Sequence, residues 1–508
     1  MIVPFPSYFS YLCSQLSRHD PDRTQISGKD VTNNYLLSVP NLMMSKHLGE
    51  SLQGNCHVTD LCLDFQNSPG SHVVLLKAIR DCKSIQSVKL CGDKRAAHLN
   101  HCFISSIAGR NKSLQQVKFY CMTLGANSLA VVLLGSGRAM HTFQIIGCRL
   151  LVRNPLEIQR AVTALHDHQY MKSLHLDIDF GMLVALQNGI ISHPVLKELR
   201  VDGLLGPIEL PEIYQLYDPP PDTPLPAILV ICTILESPNS ALCHLHLSGW
   251  NFQSDEVPFD TLLSSVLLCQ TLTKLTFGGN CYFHPFVAQQ LASIYQSTSS
   301  RLHSLGCFEC SGLQANLYYL FKHHSMPGLK ELDVTSFSAV GCWTIPLVLI
   351  LELDTSLEQC KLAWLDKAAC KALIKVLPNI QGITKLDLGL EGEFDDLKED
   401  IMAAFENNRS LVKVNIHYPG TRYSWHSQFT VKELIRIRLY TSRNSLLPLK
   451  ACICESALTL LPQMFYVAEQ CLRGPPIVLE SLLQLKESIG PKVDQTISGK
   501  RKRPHFST

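Results

Sequence analysis

The outline apolar–x–x–apolar–x–apolar returns along this chain at a nearly fixed interval. LKELRV begins at Leu196 and LKELDV at Leu329. The same outline begins at Val58, Ile85, Leu114, Met140, Met171, Leu242, Leu272, Leu302, Leu357, Ile383 and Leu411. Successive copies stand 25 to 31 residues apart, except for 46 between Leu196 and Leu242. One copy alone would mean little, but thirteen at a period near 28 mean a solenoid. Alternation over six residues is a short strand with one face buried. Each strand pairs in parallel with the next copy, so a crossover must return the chain; about 20 residues remain for it, enough for a helix. Residues 366–377 place Ala369, Leu373, Val376 and Leu377 on one helical face, and 395–405 do the same with Leu397, Ile401 and Phe405.

The turn before the strand carries a second signature. It reads N-K-S-L at 111–114, N-R-S-L at 408–411, D-T-S-L at 354–357 and C-Q-T-L at 269–272. Short polar residues there stop a helix and start a strand. With this turn and this period, the array resembles the ribonuclease-inhibitor type of leucine-rich repeat, also found in the sensor arrays of NOD-like receptors. The resemblance covers roughly residues 58–420. It implies an α/β horseshoe solenoid, with a parallel sheet on the concave face and helices on the convex face. That family usually has Asn or Cys three residues beyond the last strand apolar. Here only Asn280 and Cys310 fit, while Asp93, Trp250 and Pro419 stand at that place in other copies. The backbone carbonyls those residues would satisfy then need other donors, so an irregular array is expected.

Residues 1–57 show no clear repeat and are expected to close the first end, since a terminal repeat otherwise exposes core. The long spacing holds a Pro-rich insertion at 203–226, with Tyr214, Tyr217 and a P-x-x-P at 221–224. A surface loop is its plainer reading, because the Arg or Lys that usually flanks a polyproline ligand is absent. Residues 421–490 read as helical, either capping the array or docking a ubiquitin-ligase scaffold. Residues 491–508 form a basic tail in which Lys500, Arg501, Lys502 and Arg503 are a candidate nuclear signal.

The chain has 45 basic and 43 acidic residues, so no global charge steers it toward nucleic acid or an anionic membrane. The longest apolar runs, 225–235 and 345–353, fall short of the ~18–20 residues that span a bilayer. The N-terminus lacks a positively charged leader, and Pro4 and Pro6 interrupt its apolar run, so no secretory signal is read. Twenty cysteines are then expected as free thiols in the cytoplasm, with the basic tail admitting the nucleus. Cys307 and Cys360 stand where other copies hold Leu or Val. Such thiols act as small hydrophobes.

No motif assigns chemistry. Cys307-x-x-Cys310 with His323 and His324 lacks zinc-finger spacing. H-E-x-x-H, G-x-x-x-x-G-K-[ST] and G-x-S-x-G are all absent. The glycosylation acceptors at Asn111 and Asn408 have no consequence without secretion. Neither catalytic residues, cofactor nor metal are therefore expected. A Ran-type GTPase-activating protein remains a remote alternative by fold analogy, because such proteins carry an acidic stretch where this chain is helical and then basic.

The position between the last two strand apolars faces the concave side. It reads Cys62, Lys89, Lys118, Gln144, His175, Arg200 and His246, then Thr276, Gly306, Asp333, Lys361, Asp387 and Asn415. The first stretch carries cations and histidines without an acid, and the second sets Asp333 and Asp387 against Lys361. The plain reading is a solvated polar face. The sharper one is a bipolar surface whose N-terminal half binds an acidic partner segment through Lys89, Lys118, His175, Arg200 and His246, with Asp333, Lys361 and Asp387 beyond. The expected function is a non-catalytic protein-interaction scaffold without small-molecule, membrane or specific nucleic-acid partner; a ubiquitin-ligase substrate receptor is the main alternative.

Overall fold

The computed structural model describes residues 13, 25–26, 37–38, 42–53, 55–65, 73–92, 111–120, 123–135, 139–152, 154–178, 180–191, 193–203, 225–252, 256–278, 281–283, 287–297, 300–308, 317, 321–322, 326–335, 344–353, 356–390, 395–417, 436–437, 440–441 and 443–444. The chain divides into two compact units, Met1–Ser338 and Ala339–Thr508.

In the first unit, ten copies of the outline each become a strand: β3 (Asp60–Phe65), β4 (Ser87–Gly92), β5 (Gln116–Tyr120), β7 (Thr142–Ile146), β9 (Ser173–Ile178), β10 (Glu198–Gly203), β11 (His244–Ser248), β13 (Lys274–Gly278), β15 (Ser304–Phe308) and β16 (Glu331–Thr335). They line up in chain order in one parallel sheet. Two short strands, β1 (Gln25–Ile26) and β2 (Leu37–Ser38), pair with β3. The lesser strands β6 (Thr123–Gly125), β8 (Arg149–Leu151), β12 (Asn251–Phe252) and β14 (Tyr282–Phe283) form the pairs β6–β8 and β12–β14. In the second unit, the last three copies form β17 (Gln359–Leu365), β18 (Lys385–Leu390) and β19 (Lys413–His417), also parallel and in order.

The ladder follows from the repeat. The carbonyl of the outline's second residue accepts two amides from the next copy: Thr59 O takes Gln86 N and Ser87 N, and Lys197 O takes Cys243 N and His244 N. The three apolars of each outline are buried, apart from half-buried Ile416 at the end of β19. Cys307 and Cys360 are buried with them, and burial pushes the Cys307 thiol far up, so it packs as a neutral hydrophobe. β10 and β11 pair residue for residue from Glu198–His244 to Asp202–Ser248, so the extra length between them leaves the ladder intact. The insertion itself lies mostly outside the described residues.

The crossovers are helical where described. The first unit holds α1 (Leu42–Leu52), α2 (Val73–Asp81), α3 (Ala126–Gly135), α4 (Pro155–Asp167), α5 (Phe180–Ile191), α6 (Leu225–Glu236), α7 (Glu256–Leu268) and α8 (Val287–Gln296). The second holds α9 (Thr344–Leu353), α10 (Lys367–Val376) and α11 (Lys398–Asn407). Chain-neighbouring helices pack together, as α3 does on α4 and α10 on α11. Local chemistry sets their starts. Asn154 accepts from Glu157 N at 3.1 Å with Pro155 next to it, and Asp366 accepts from Ala369 N at 2.7 Å. The apolar runs at 225–235 and 345–353 fall in α6 and α9; among the described residues no helix is long and apolar enough to cross a membrane. This α/β stack of strand–helix repeats is a leucine-rich-repeat solenoid.

The polar residues before each strand do more than end a helix. Asn408 is wholly buried. Its amide donates to Leu377 O at 2.7 Å and Ile380 O at 3.3 Å, and its Oδ1 accepts from Ser410 N and Leu411 N. Asn111 repeats this on Ile79 O and Cys82 O, with Ser113 N bonded to its Oδ1. Asn55 accepts from His57 N and Val58 N in the same turn. One amide thus ties the helix end of one repeat to the strand start of the next. Both sequons are spent on this bridge, so neither asparagine is an exposed acceptor in the fold. Asn408→Ala is expected to cost about 2–4 kcal/mol, since two carbonyls each lose a donor and two amides their acceptor at once. Urea unfolding checks this. Asn408→Asp keeps the acceptor and loses both donors, so it should also destabilise; wild-type stability in both variants would refute the bridge.

At the other strand end the carbonyls find unlike donors. Trp250 Nε1 donates to Val201 O at 3.1 Å, Cys281 Sγ to Leu247 O at 3.4 Å and Cys148 Sγ to Phe119 O at 3.4 Å. Each acceptor is the last apolar of the preceding copy's strand. Cys148 stands three residues beyond Ile145, so the reading that only Asn280 and Cys310 fit that place is corrected by one. Asn280 and Cys310 lie outside the described residues. Beside Trp250, Gly249 has φ +69° and an added Cβ would stand 2.9 Å from Gly203 O, so only glycine suits this turn.

Candidate functional site: the open face of the first sheet

Strand pleating sends alternate residues to the sheet face away from the helices, the face read as concave from sequence. In-register pairing fixes its rows. Cys62 lies beside Lys89, Lys89 beside Lys118, Lys118 beside Gln144 and Gln144 beside His175. Arg200 then lies between His175 and His246, and His246 beside Thr276. Gly306 pairs with Asp333. In the second unit, Lys361 pairs with Asp387 and Asp387 with Asn415, whose amide donates to the Asp387 carboxylate. The row read from sequence is therefore a row within each unit.

Its electrostatics differ from a uniform cationic track. Two residues beyond Arg200 stands Asp202, in a row that sequence reading left aside. Arg200 Nε and Nη2 both donate to Asp202, at 2.9 and 2.7 Å, and His175 Nε2 bonds the same carboxylate at 2.9 Å. Burial pushes Asp202 up, yet these bonds outweigh it and hold the carboxyl at about 2. The Arg200 charge is thereby matched locally. His175 and His246 are buried, only 7% and 8% exposed. Burial, reinforced by Arg200, holds His246 down to about 3, so it is neutral at physiological pH. A second network lies alongside. Glu198 meets His244 Nδ1 at 3.4 Å and also bonds Ser173, and the bond from His244 chiefly holds its carboxyl at about 2. His244 Nε2 bonds Thr276 Oγ1 at 3.0 Å.

The N-terminal end keeps its charge. Lys89 and Lys118 stand side by side on β4 and β5, half-exposed, and among the described residues neither makes an ion pair. The Lys89 ammonium sits 4.1 Å above the centre of the Tyr120 ring. Tyr120, Asp202, Glu198 and His244 belong to this surface and were missed as site residues. The signal that finds them is the alternation carried two residues beyond the outline for Tyr120 and Asp202. For Glu198 and His244 it is the row two residues earlier.

On the helical side, α3 and α4 leave a groove lined by Val131, Leu134, Leu156 and Arg160, with Leu134 and Leu156 65% and 69% exposed. In the second unit, Arg443 donates to Glu406 O and Asn408 O, and Asn444 to Asn408 O and Leu411 O. The rest of 445–490, His323, His324 and Lys500, Arg501, Lys502 and Arg503 lie outside the described residues. Among those described, no group of three or more His, Cys, Asp or Glu side chains is placed to hold a metal.

No family model matches the sequence, and no curated protein matches it. Among solved structures the chain is similar to the TLR13–ssRNA13 complex, at 12% identity and a TM-score of 0.31, covering 75% of this chain and 59% of that one. The chain thus spans less than two thirds of that protein's length. The assignment to leucine-rich-repeat solenoids rests on the strand register and the buried outline, independently of that likeness.

Proposed function

We propose that this chain is an intracellular, non-catalytic interaction scaffold, of the ribonuclease-inhibitor type of repeat, that captures an acidic segment of a protein partner on the open face of its first unit. The observation that carries the reading is the pair Lys89 and Lys118. Two neighbouring cations on one strand pair repel each other and cost stability unless something anionic comes to them. The described cysteines are free, which fits a reducing compartment. Asn444 and Arg443, bonded to the backbone around Asn408, support a capping role for part of 421–490.

Lys118→Glu is the clean test. Proximity labelling in the native cell is expected to lose most partner signal with this variant, at a melting temperature no lower than that of wild type, because the side chain is half-exposed and bonded to nothing described. Arg200→Glu is a poor test, since it strips Asp202 of its cation and would unfold the strand it reports on. An unaltered partner set with Lys118→Glu would sink the reading.

A further inference from the structure

We propose that Lys89 and Lys118 together seat one phosphate monoester dianion, carried on a side chain of the partner protein. The proposal rests on the acidic-partner reading and narrows it. The two lysines are register partners on adjacent parallel strands, about 4.8 Å apart along the sheet. Neither is neutralised by a carboxylate among the described residues. The two acids of β3, Asp60 and Asp64, pair with Ser87 and Cys91 and so lie one row to either side of the lysines. Lys89 is aimed by the Tyr120 ring below it. Both ammonium groups also bear on the Cys62 thiol, opposing the burial that pushes it up.

Charge matching selects the ligand. A single carboxylate would leave one ammonium uncompensated, whereas a phosphate monoester carries about two charges near neutral pH and several acceptor oxygens. A nucleic-acid backbone is a poorer fit. Its charges come one per phosphate and need a cation at each step. Here the row continues into neutral Gln144, and then into His175 and Arg200, both bonded to Asp202. The two lysines are therefore an isolated divalent patch rather than the start of a track.

Cys62 supplies the reporter, because a dianion seated on the two ammonium groups removes the field that favours its thiolate and covers it. The full-length protein is alkylated with iodoacetamide at about pH 8, near the ordinary thiol pKa, and Cys62 and exposed Cys56 are followed separately by peptide mass spectrometry. Phenyl phosphate and benzoate are compared at matched ionic strength. Phenyl phosphate is expected to slow Cys62 severalfold while leaving Cys56 unchanged, and benzoate to slow it less than twofold. Lys118→Gln is expected to abolish the phosphate effect at an unchanged melting temperature. Equal slowing by both anions overturns the phosphate proposal and leaves the acidic-partner reading standing. No slowing by either overturns both. Slowing that persists in Lys118→Gln overturns the assignment to this pair.

Discussion

Replacing Trp250 by alanine is expected to destabilise the first unit by about 4 kcal/mol. The indole is fully buried and packs against Phe252 at 6.1 Å between ring centres, in a cluster with Phe259 and Phe277. Truncation leaves a cavity that the stacked rings cannot close, and it also deprives Val201 O of its donor. The location magnifies the effect. Val201 lies on β10 and Trp250 just beyond β11, the two strands whose connection is the longest in the array. The indole nitrogen therefore links strands whose chain connection contributes least to holding them together. Trp250→Phe separates the two contributions, since it keeps a ring and loses the N–H; about 1–2 kcal/mol is expected. Urea unfolding followed by far-ultraviolet circular dichroism measures both. An alanine variant within 1 kcal/mol of wild type would refute the cluster's role, and a phenylalanine variant equal to wild type would refute that of the bond.

Trp250 also shows where sequence reading stops. The strands were legible because their signal is one-dimensional: three apolars at fixed offsets, repeated, need only a period to be recognised. α10 and α11 were legible for the same reason, with Leu373, Val376, Ile401 and Phe405 buried as their spacing requires. The ladder at the strand ends was not, because a carbonyl accepts any donor. A Trp, two Cys thiols and an Asn family rule are equivalent to Val201, Leu247 and Phe119, and nothing in a motif says so. Asn111 and Asn408 were read as turn residues, which they are; that their amides reach back across a full repeat is visible only when the repeats are stacked.

The open face was half legible. The order of Lys89, Lys118, His175, Arg200 and His246 along the row follows from register, and register follows from the outline. Their charge does not follow, because it is set between rows. Asp202 lies outside the six-residue outline and on the same strand as Arg200, so a row-by-row count of charges passes over the one carboxylate that matches it. The plain expectation of a solvated polar face also fails in the middle of the sheet, where His246, Thr276 and Ser304 are buried. Within this row, the cations that no described carboxylate matches thus shrink from a track to the pair Lys89 and Lys118.

The same stacking that buries the turn asparagines buries two histidines, and acid should find them. His168 and His193 stand three residues before Met171 and Leu196, the place that Asn55, Asn111 and Asn408 hold before other strands. Burial lowers both, His193 to about 4, with nearby His168 and His166 adding to it. In the unfolded chain a histidine titrates near 6.5, so between about pH 6.5 and 4 the unfolded state binds more protons and stability falls as pH falls. His246, held at about 3, acts in the same direction over a wider range. Glu198 and Asp202 are depressed carboxylates; their contribution is complete above about pH 4 and is lost only as pH drops toward 2. The histidines therefore control the first acid transition. His193 alone is expected to remove between about 2 and 3 kcal/mol at pH 4.5, a large share of the 5–15 kcal/mol that holds an ordinary domain together. Asparagine is the residue that other copies use at this place, so His193→Asn should keep neutral-pH stability and abolish that share of the acid loss. Urea unfolding of both proteins at pH 7 and pH 4.5 decides it. Curves for His193→Asn that shift with pH as far as those of wild type would show that the buried ring is not what acid attacks.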